Sequence, residues 1–397
     1  MHREDFPVLQ TGVVYFDNGA TTLKPKMVRE AIDQYYNSYT ANAHRGDYKN
    51  SAKVDSLYEG TRAKVKEYIN AKEVSEIVFT KGSTEAINMI VFGYFKNVLQ
   101  KNDEVILTES EHASNILPWF ILEKQIGIKI KYIKLVNNQV TLENLQKEIT
   151  PQTKVISLAH ITNVVGDVRP IKEIAKIAHK NNILLVVDAS QSVSHMKVDV
   201  QDMDIDFMAF SGHKLYGPTG VGVLYGKFDL LDKLEPQEYG GGMNATFTKD
   251  GYVELREIPT RLEAGTPNIE GVIGLGSAID YINSLGIENI SKYEHELRRY
   301  LVSELSELNF IEIYNKDNKG TTVAFNIKGV FAQDTAIYLD KYNICVRAGN
   351  HCAKILNNVF NINNTCRISL SFYNTKEEVD LLINVLKNSK NIWKEIL

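Results

Sequence analysis

The chain has 397 residues, of which 44% are hydrophobic and 24% charged, and its formal net charge at pH 7 is −4. A chain of this size can bury a large core and exceeds a typical single domain, so we expect two domains. The 45 Lys and Arg residues form no basic block beside the 49 Asp and Glu residues, which argues against nucleic acid as a partner.

The N-terminus and the cysteines indicate the cellular setting. The first residues, MHREDFPVLQ, are charged and lack the apolar core of a secretory signal, and no apolar run reaches the roughly 20 residues that cross a bilayer. Cys345, Cys352 and Cys366 are odd in number and form no C-x-x-C pair, which argues against a disulfide framework. We therefore expect a cytoplasmic protein without a membrane partner.

Short apolar runs rich in β-formers alternate with helical segments between residues 75 and 225. Five runs predict strands, at residues 76–80, 104–108, 155–159, 183–187 and 205–210. Between them, residues 84–95 and 170–179 carry apolar side chains at helical spacing. Several of the strands are apolar without alternation, which is typical of parallel strands covered by helices on both faces. The pattern predicts a doubly wound α/β domain.

The pattern changes after the motif EAGTPN at residues 263–268. Two long helical segments follow, at residues 271–285 and 291–308. The remaining predicted elements are strands near 321–327, 344–347 and 366–372 and a closing helix at 376–388. This part of the chain predicts a smaller α+β domain.

The most distinctive motif is SGHKLYGPTG, directly after the last predicted strand of the first domain. It places Ser211, His213 and Lys214 on a glycine-containing turn. A lysine held away from solvent can have a pKa near neutrality, and a neutral amine beside phosphate donors suits covalent chemistry with pyridoxal phosphate. Taken alone, the motif fits an ordinary turn with a solvent-reaching lysine equally well.

Polar residues also follow the other predicted strands, at the edge where ligands bind in open parallel sheets. Ser83 and Thr84 open a helix whose N-terminus suits a phosphate, with a routine helix cap as the alternative. His112 can stack on an aromatic ring and move protons near neutral pH, or be a solvated loop residue. Asn163 can donate a hydrogen bond to a ring hydroxyl or to a substrate carboxylate.

Asp188 ends the apolar run ILLVV, and Gln191 follows it. A carboxylate in that position is partly desolvated and needs a cation or a hydrogen-bond donor as its partner. The pyridinium nitrogen of pyridoxal phosphate would be such a partner, and Gln191 is placed to bond the phenolic oxygen of the ring. The alternative for Asp188 is an N-cap of the next helix. Because Asp188, His213 and Lys214 follow successive strands, the sequence favours the cofactor site.

Taken together, the motifs resemble a known family over nearly the whole chain. The motifs are YFDNGATTLKP, AHRGDY, KGSTEAIN, EHASNILPW, ITNVVGDVRPIKEI, the run from VDASQ to VLYG, LEAGTPN, RAGNHCA and CRISLSFYNT. They are similar to those of pyridoxal phosphate-dependent class V aminotransferases and, within these, to cysteine desulfurases of the Suf sulfur-mobilisation pathway. The resemblance implies fold type I, with a mainly parallel seven-stranded sheet in a large domain at residues 15–265. Residues 1–14 and 266–397 would form the small α+β domain that carries the cysteine loop.

The resemblance also implies roles for residues at matched positions. Lys214 would bond covalently to the cofactor aldehyde, Asp188 would pair with the pyridinium, Gln191 would bind the phenolic oxygen, and His112 would stack on the ring. The phosphate would be held by Thr84, Ser211 and His213, and by Thr266 of a second copy in a homodimer, while Ser83 is a cofactor-binding candidate from the helix start described above. Arg367 would clamp the substrate carboxylate as a bidentate fork. The other substrate-binding residues would be Asn163, His44 (with Arg45 beside it at the entrance) and Arg347.

Three motifs depart from the family pattern, at five positions in all. The usual RTGHHCA is RAGNHCA here, so that Ala348 and Asn350 replace a hydroxyl and an imidazole beside the cysteine. The usual EHHAN is EHASN, which changes residues 113 and 114, and DNAATT is DNGATT with Gly19. These departures bear on control of the thiol and on partner docking rather than on the class of reaction.

Cys352 is the predicted nucleophile among the three cysteines. Cys345 lies in an apolar run and Cys366 begins a strand, so both are expected to be structural. Basic neighbours of Cys352 favour its thiolate. A zinc site at His351 and Cys352 would need further ligands, and none stands at zinc-site spacing. The predicted reaction takes the sulfur of L-cysteine, releases L-alanine and leaves a persulfide on Cys352, which passes to a Suf acceptor protein for iron–sulfur cluster assembly.

Other functions remain compatible with the sequence. On the same scaffold they are a lyase acting on L-selenocysteine, in which the weaker C–Se bond makes the thiol less necessary, and a kynureninase or aminotransferase. A further alternative is a sulfur-relay scaffold with little turnover of its own. The set of Lys214, Asp188, His112 and Arg367 argues against that last alternative, because a scaffold has no physical need for these residues.

Overall fold

A seven-stranded sheet forms the centre of the large part of the molecule. The computed structural model describes residues 2–44, 46–389 and 392. The strands, in chain order, are β1 (Ile77–Thr80), β2 (Glu104–Thr108), β3 (Lys129–Ile133), β4 (Thr153–Ala159), β5 (Leu184–Asp188), β6 (Phe207–Ser211) and β7 (Gly222–Gly226). They lie in the order β1-β7-β6-β5-β4-β2-β3. Only β7 runs antiparallel to its neighbours, so the prediction of a mainly parallel sheet is confirmed.

The central strands are apolar on both faces because each face packs against a layer of helices. On β5, Val186 belongs to one apolar core and Val187 to the other. On β6, Phe207 and Met208 divide between the two cores in the same way. This double burial explains why these runs do not alternate between apolar and polar residues.

The helices of the described residues surround the large sheet and cover one face of a smaller one. Their bounds are Lys26–Ser38, Lys49–Tyr68, Ser83–Asn88, Met89–Phe95 (π-helical), Lys96–Val98, Leu117–Ile126, Leu142–Glu148, Ile171–Lys180, Phe228–Leu231, Ile269–Leu285, Ile287–Ser306, Ala332–Asp340, Lys354–Phe360 and Lys376–Lys387. None of them combines the length and the apolar character that crossing a membrane requires.

The second sheet is smaller and wholly antiparallel. Its strands are β8 (Ile311–Ile313), β9 (Thr322–Ile327), β10 (Arg347–Gly349) and β11 (Thr365–Ser369), in the order β8-β9-β11-β10. Apolar residues of this sheet and of the helices Ile287–Ser306 and Lys376–Lys387 form a separate core. Near the N-terminus, Val14–Tyr15 pairs in parallel with Ile344–Cys345. The predicted combination of an α/β part and a smaller α+β part is confirmed.

The helix Ile269–Leu285 packs on the large part of the molecule. Val272, Leu275 and Ile279 contribute to the same core as Val187 of the large sheet. The expected division into residues 15–265 and residues 1–14 with 266–397 stays a prediction, and this helix is the segment on which its boundary depends.

Two strands of the large sheet were not predicted. Strand β3, KIKYI, alternates lysines with apolar residues and lies at the sheet edge beside β2 only. Strand β7 is flanked by Gly222 and Gly226 and comes eight positions after Lys214, so the sequence is read as a continuation of the loop. Its antiparallel pairing with β6 is what folds the Lys214 turn back against the sheet.

Gly222 is required by a close approach of two backbones. A Cβ atom at this position would lie 2.5 Å from Cα of Gly82 and 2.8 Å from the carbonyl oxygen of Phe210. We expect Gly222→Ala to destabilise the protein by about 1–3 kcal/mol, because a backbone contact cannot yield as a flexible side chain can. Denaturant unfolding measures this change.

Gly60 provides the matched control. It lies within the helix Lys49–Tyr68, and a Cβ atom there would meet nothing within 4 Å. Gly60→Ala should stabilise the protein by up to about 1 kcal/mol, because alanine favours the helix. Equal effects of the two substitutions would contradict the steric explanation for Gly222.

Candidate active site

A cavity lies at the carboxyl ends of the parallel strands of the large sheet. Its volume is about 280 Å³. Twelve of the residues predicted from the sequence line it: Ser83, Thr84, His112, Asn163, Asp188, Gln191, Ser211, His213, Lys214, Arg347, Cys352 and Arg367. The topology brings them together because parallel strands end at one edge of a sheet, where open α/β folds bind ligands.

Lys214 lies on a short helical turn, Gly212–Lys214, directly after β6. Its amine makes no hydrogen bond or ion pair with any described residue. Burial lowers the pKa of the Lys214 amine, and the Asp188 carboxylate offsets part of this effect. An amine without a carboxylate partner loses its proton readily and can then act as a nucleophile or a base.

Asp188 ends β5 and is buried. Its Oδ1 accepts the backbone N–H of Ser190 at 3.0 Å. Its second oxygen accepts no hydrogen bond from a described residue, so that the carboxylate can accept a further donor from the cavity. Gln191, on the turn after β5, donates from Nε2 to the Gly19 carbonyl at 2.9 Å.

His112 follows β2 and is held in one tautomer by its neighbour. Its Nδ1 accepts the backbone N–H of Ser114 at 3.1 Å. A nitrogen that accepts a hydrogen bond carries no proton, so the neutral ring bears its hydrogen on Nε2. Burial, and then the nearby Lys214 amine, lower the pKa of His112, which favours this neutral form.

Hydroxyl groups and backbone N–H groups form an anion cradle at the start of the segment 83–98. Ser211 Oγ accepts the Ser83 N–H at 2.9 Å and lies 2.9 Å from Ser83 Oγ. Thr84 Oγ1 lies 2.8 Å from Ser114 Oγ. Burial lowers the pKa of His213 to about 4, so its ring is neutral near pH 7. A helix N-terminus with free N–H groups and hydroxyls suits a phosphate.

A buried ion pair that the sequence analysis missed lies behind His112. Arg169 Nη1 bonds Glu111 Oε1, and neither side chain is exposed to solvent. Glu111 also accepts the N–H of Ala159 at 2.8 Å, and Arg169 donates to Thr108 at 2.7 Å. These bonds join the ends of β2 and β4. The available signal was the acidic residue directly before His112, at the end of an apolar strand.

Arg367, on β11, is fixed by two oxygen acceptors. Its Nη2 lies 3.0 Å from Oδ1 of Asp17, and its Nη1 donates to the Asn163 carbonyl at 3.0 Å. Its buried Nε has no hydrogen-bond partner among the described residues. Asp17 also binds Nε of Arg347, at 3.0 Å. One carboxylate therefore holds two cavity arginines, and the orphaned Nε is suited to a carboxylate ligand. The sequence analysis did not single out Asp17.

The Cys352 thiol is exposed on a strained loop after β10. His351 and Cys352 both have left-handed backbone conformations, with φ of 50° and 56°, which are costly for residues other than glycine. Several hydrogen bonds hold the loop, among them one between Nε2 of His351 and Oγ1 of Thr365 at 2.8 Å. Asn163 donates to the His351 carbonyl at 2.7 Å, the Ala113 N–H to the Cys352 carbonyl at 2.8 Å, and the Cys352 N–H to Asn350 at 3.1 Å.

Two predicted site residues lie outside this cavity. His44 Nε2 is 3.3 Å from Glu59, and this carboxylate raises the pKa of His44. Thr266 is exposed, with Oγ1 3.4 Å from Nδ2 of Asn42. Arg45, expected beside His44 at the entrance, lies outside the described residues. The roles predicted for His44 and Thr266 stay predictions.

The residues of the cavity fit a phosphorylated pyridine aldehyde. The unpartnered Lys214 amine can react with the aldehyde. The free oxygen of Asp188 can accept a pyridinium N–H, and the cradle at Ser83, Thr84 and Ser211 matches a phosphate. Within the described part of the chain, no three His, Cys, Asp or Glu residues cluster so as to hold a metal ion.

Comparison with known proteins supports the same interpretation. Residues 14–382 match the family described as aminotransferase class V. A relative from Halalkalibacterium halodurans, described as a probable cysteine desulfurase, is 42% identical, with 98% of each chain covered. A solved cysteine desulfurase from Thermococcus onnurineus has a TM-score of 0.94 and 39% identity, and the match covers 97% of this chain and 96% of that one. The cysteine desulfurase CsdA from Escherichia coli has a TM-score of 0.93 and 36% identity, and the match covers 100% of this chain and 98% of that one.

The buried pair behind His112 can be tested through its charge. Glu111→Gln keeps the shape of the side chain but removes the fully buried partner of the Arg169 guanidinium, which then keeps, as its contact with a carboxylate, the longer one between its Nε and Asp167 at 3.3 Å. We expect a loss of about 3 kcal/mol in the free energy of unfolding, measured with denaturant. Glu143→Gln is the control, because Glu143 pairs with Lys147 on the surface, where their side chains are 77% and 62% exposed. It should leave the unfolding midpoint unchanged. A midpoint unchanged in Glu111→Gln would remove the pair from its structural role.

Proposed function

Because the chain belongs to the class V aminotransferase family, within its group of cysteine desulfurases, we propose that it removes the sulfur of L-cysteine as a persulfide on Cys352 and releases L-alanine. The predicted family and the predicted pyridoxal phosphate cofactor are confirmed. The observation that carries the proposal is that an unpartnered lysine amine and an exposed thiol, those of Lys214 and Cys352, line one cavity.

The lining of the cavity supports a set of cofactor contacts. Lys214 would bind the aldehyde, Asp188 would accept the pyridinium N–H, and His112 would lie against the ring. Ser83, Thr84, Ser211 and His213 would hold the phosphate, and Gln191 would bind the phenolic oxygen. Held in this way, the cofactor would withdraw electrons from the α-carbon of an amino acid and so make its α-proton acidic.

Side chains of the protein then bind the substrate and transfer protons. Arg367 binds the α-carboxylate through the donors that Asp17 and Asn163 leave free. The Lys214 amine, whose pKa burial lowers, accepts the α-proton. His112, with its hydrogen on Nε2, supplies a proton to the substrate or to its departing part.

Cys352 takes the sulfur. Its thiolate attacks the sulfur of the substrate, so that an S–S bond forms on Cys352 while the C–S bond of the substrate breaks. The electron pair of the C–S bond stays with the carbon, which takes up a proton and leaves as L-alanine. The step needs no external oxidant or reductant. The two sulfur atoms are oxidised when the S–S bond forms, and the substrate carbon is reduced by the same two electrons when its bond to sulfur is replaced by a bond to hydrogen.

The fate of the sulfur and the assembly of the protein are part of the same proposal. The exposure of Cys352 supports transfer of the persulfide to an acceptor protein, in which case the enzyme is a sulfurtransferase that serves iron–sulfur cluster assembly. The position of Thr266, exposed and outside its own cavity, supports a homodimer in which it reaches the partner's phosphate. The three free cysteines support a reducing, cytoplasmic setting.

The direct test is incubation of the purified enzyme with L-cysteine and a thiol acceptor. We expect equal amounts of L-alanine and transferred sulfur, and a sulfur atom added to the peptide that contains Cys352 by mass spectrometry. An α-keto acid in place of alanine would identify an aminotransferase and would overturn the proposal.

Substitution of Cys352 separates cofactor binding from sulfur transfer. Cys352→Ala should keep the visible absorbance of the bound cofactor, while alanine release from L-cysteine falls by roughly two orders of magnitude or more. Cys345→Ala is the control, because Cys345 lies in a strand outside the cavity, and it should retain full activity. The measurement is alanine formed per enzyme at saturating L-cysteine.

One outcome would contradict this assignment, and another would extend it to a second substrate. Full activity of Cys352→Ala on L-cysteine would remove Cys352 from the reaction. Loss of activity on L-cysteine with retained turnover of L-selenocysteine would keep the role of Cys352 and identify a second substrate with a weaker bond to carbon.

A further inference from the structure

Lys24 is a cation close to the active site that the mechanism does not use. Its amine donates to the carbonyl of His213 at 2.8 Å, to Oγ1 of Thr21 at 3.1 Å and to the carbonyl of Thr22. No carboxylate of the described residues lies within ion-pairing distance of it. All of its acceptors are therefore neutral oxygens.

The His213 carbonyl is the acceptor that connects Lys24 to the site. It belongs to the peptide group that leads directly into Lys214. The N–H of Thr22 approaches the same oxygen at 3.1 Å, and the hydroxyls of Thr21 and Thr22 approach it at 3.1 and 3.2 Å. A carbonyl oxygen has two lone pairs, so these donors compete, and the shortest contact is that of the Lys24 amine.

Fold stability does not account for a cation in this place. Burial lowers the pKa of Lys24 to about 7, which shows that the charged form is disfavoured there. A methionine would keep much of the apolar stem without the cost of desolvating an ammonium group. The Thr22 N–H would still satisfy the His213 carbonyl. What only the amine of Lys24 supplies is a strong, directed bond to the peptide before Lys214.

The segment around Lys24 also binds the chain on the far side of Lys214. The Tyr216 N–H donates to Thr22 Oγ1 at 2.9 Å, so the segment around Thr22 binds the turn on both sides of Lys214. Lys24 also lies near the His213 ring and contributes to its lowered pKa. The amine is thus placed where it can influence both the cofactor lysine and one of the phosphate-binding groups.

We propose that Lys24 is a positioning residue for Lys214, whose amine holds the His213 carbonyl and thereby fixes the direction in which the Lys214 side chain enters the cavity. The proposal rests on the role of Lys214 in the proposed function. A side chain that must bond to an aldehyde and then take a proton requires a defined geometry, and small displacements reduce both steps.

The test compares Lys24→Met and Lys24→Arg with the unmodified enzyme. Lys24→Met should weaken the affinity for pyridoxal phosphate by about tenfold, because Lys214 loses its fixed direction. The affinity is measured by removing the cofactor, adding it back in increasing amounts and following the visible absorbance. The midpoint of the pH titration of that absorbance should shift as well. Lys24→Arg keeps a cation within reach of the His213 carbonyl and should restore much of the affinity. The thermal midpoint of Lys24→Met should be equal to or above that of the unmodified chain.

Lys131→Met is the control. Lys131 is 25% exposed in its side chain and, like Lys24, donates to a backbone carbonyl, that of Glu148, at 2.5 Å. Unlike Lys24, it also lies 3.8 Å from the carboxylate of Glu104 and 3.5 Å from that of Glu148, and it is on the edge strand β3 away from the cavity. It should leave cofactor affinity and the pH midpoint unchanged. An equal loss of affinity in Lys131→Met and Lys24→Met, or a Lys24→Met enzyme with unchanged affinity and pH midpoint, would overturn the proposal.

The result separates this proposal from the proposed function. If the unmodified chain does not bind pyridoxal phosphate on Lys214, as shown by borohydride reduction and peptide mass, the function itself is wrong. If the unmodified chain binds it and Lys24→Met binds it equally well, only the role of Lys24 is wrong.

Discussion

The buried ion pair between Arg169 and Glu111 is the interaction on which the active-site edge depends. It joins the ends of β2 and β4, two strands that are neighbours in the sheet. The residue after Glu111 is His112, and the loop after β4 carries Asn163. With no exposure to solvent, neither charge can be satisfied by water, so the two strand ends are held in one arrangement or the pair is lost at great cost. His112 and the Cys352 loop, to which Asn163 and Ala113 donate hydrogen bonds, are both positioned by this ion pair.

Around that edge, several ionisable groups lack part of their hydrogen-bond or ion-pair partners. The Lys214 amine has no partner in the described chain, Asp188 offers one free oxygen, and Arg367 keeps a buried Nε without an acceptor. Folding alone would disfavour each of these arrangements. Together they form a set of donors and acceptors whose complement is an aromatic aldehyde with a phosphate and an amino acid with a carboxylate. The side chains of the site are thus arranged for binding a ligand rather than for the greatest stability of the fold without one.

Much of this arrangement could be predicted because the strands end where the polar residues begin. Runs such as ILLVV, followed by Asp188, identify both the strand and the site residue, since parallel strands present their ends at one edge. The partners that fix these residues could not be found in this way. Asp17 and Arg367 are separated by 350 positions and Lys24 and His213 by 189, so no local pattern connects them.

His44 lies away from the cavity because Glu59, on the adjacent helix, binds its ring. Strand β3 was not predicted because an edge strand with alternating lysines has no continuous apolar run.

The segment from Asp17 to Lys24 contacts both halves of the site, with Arg367 of the small sheet at one end and the Lys214 turn of the large sheet at the other. This segment precedes every strand of the large sheet in the chain, whereas Arg367 follows the whole of that sheet. During translation, the large sheet can therefore assemble long before its binding pocket is complete. A nascent chain that ends before β11 presents Lys214 without Arg367. The contacts of Arg367 with Asp17 and Asn163 can form only after β11 has been synthesised, which makes completion of this side of the pocket a late event of folding.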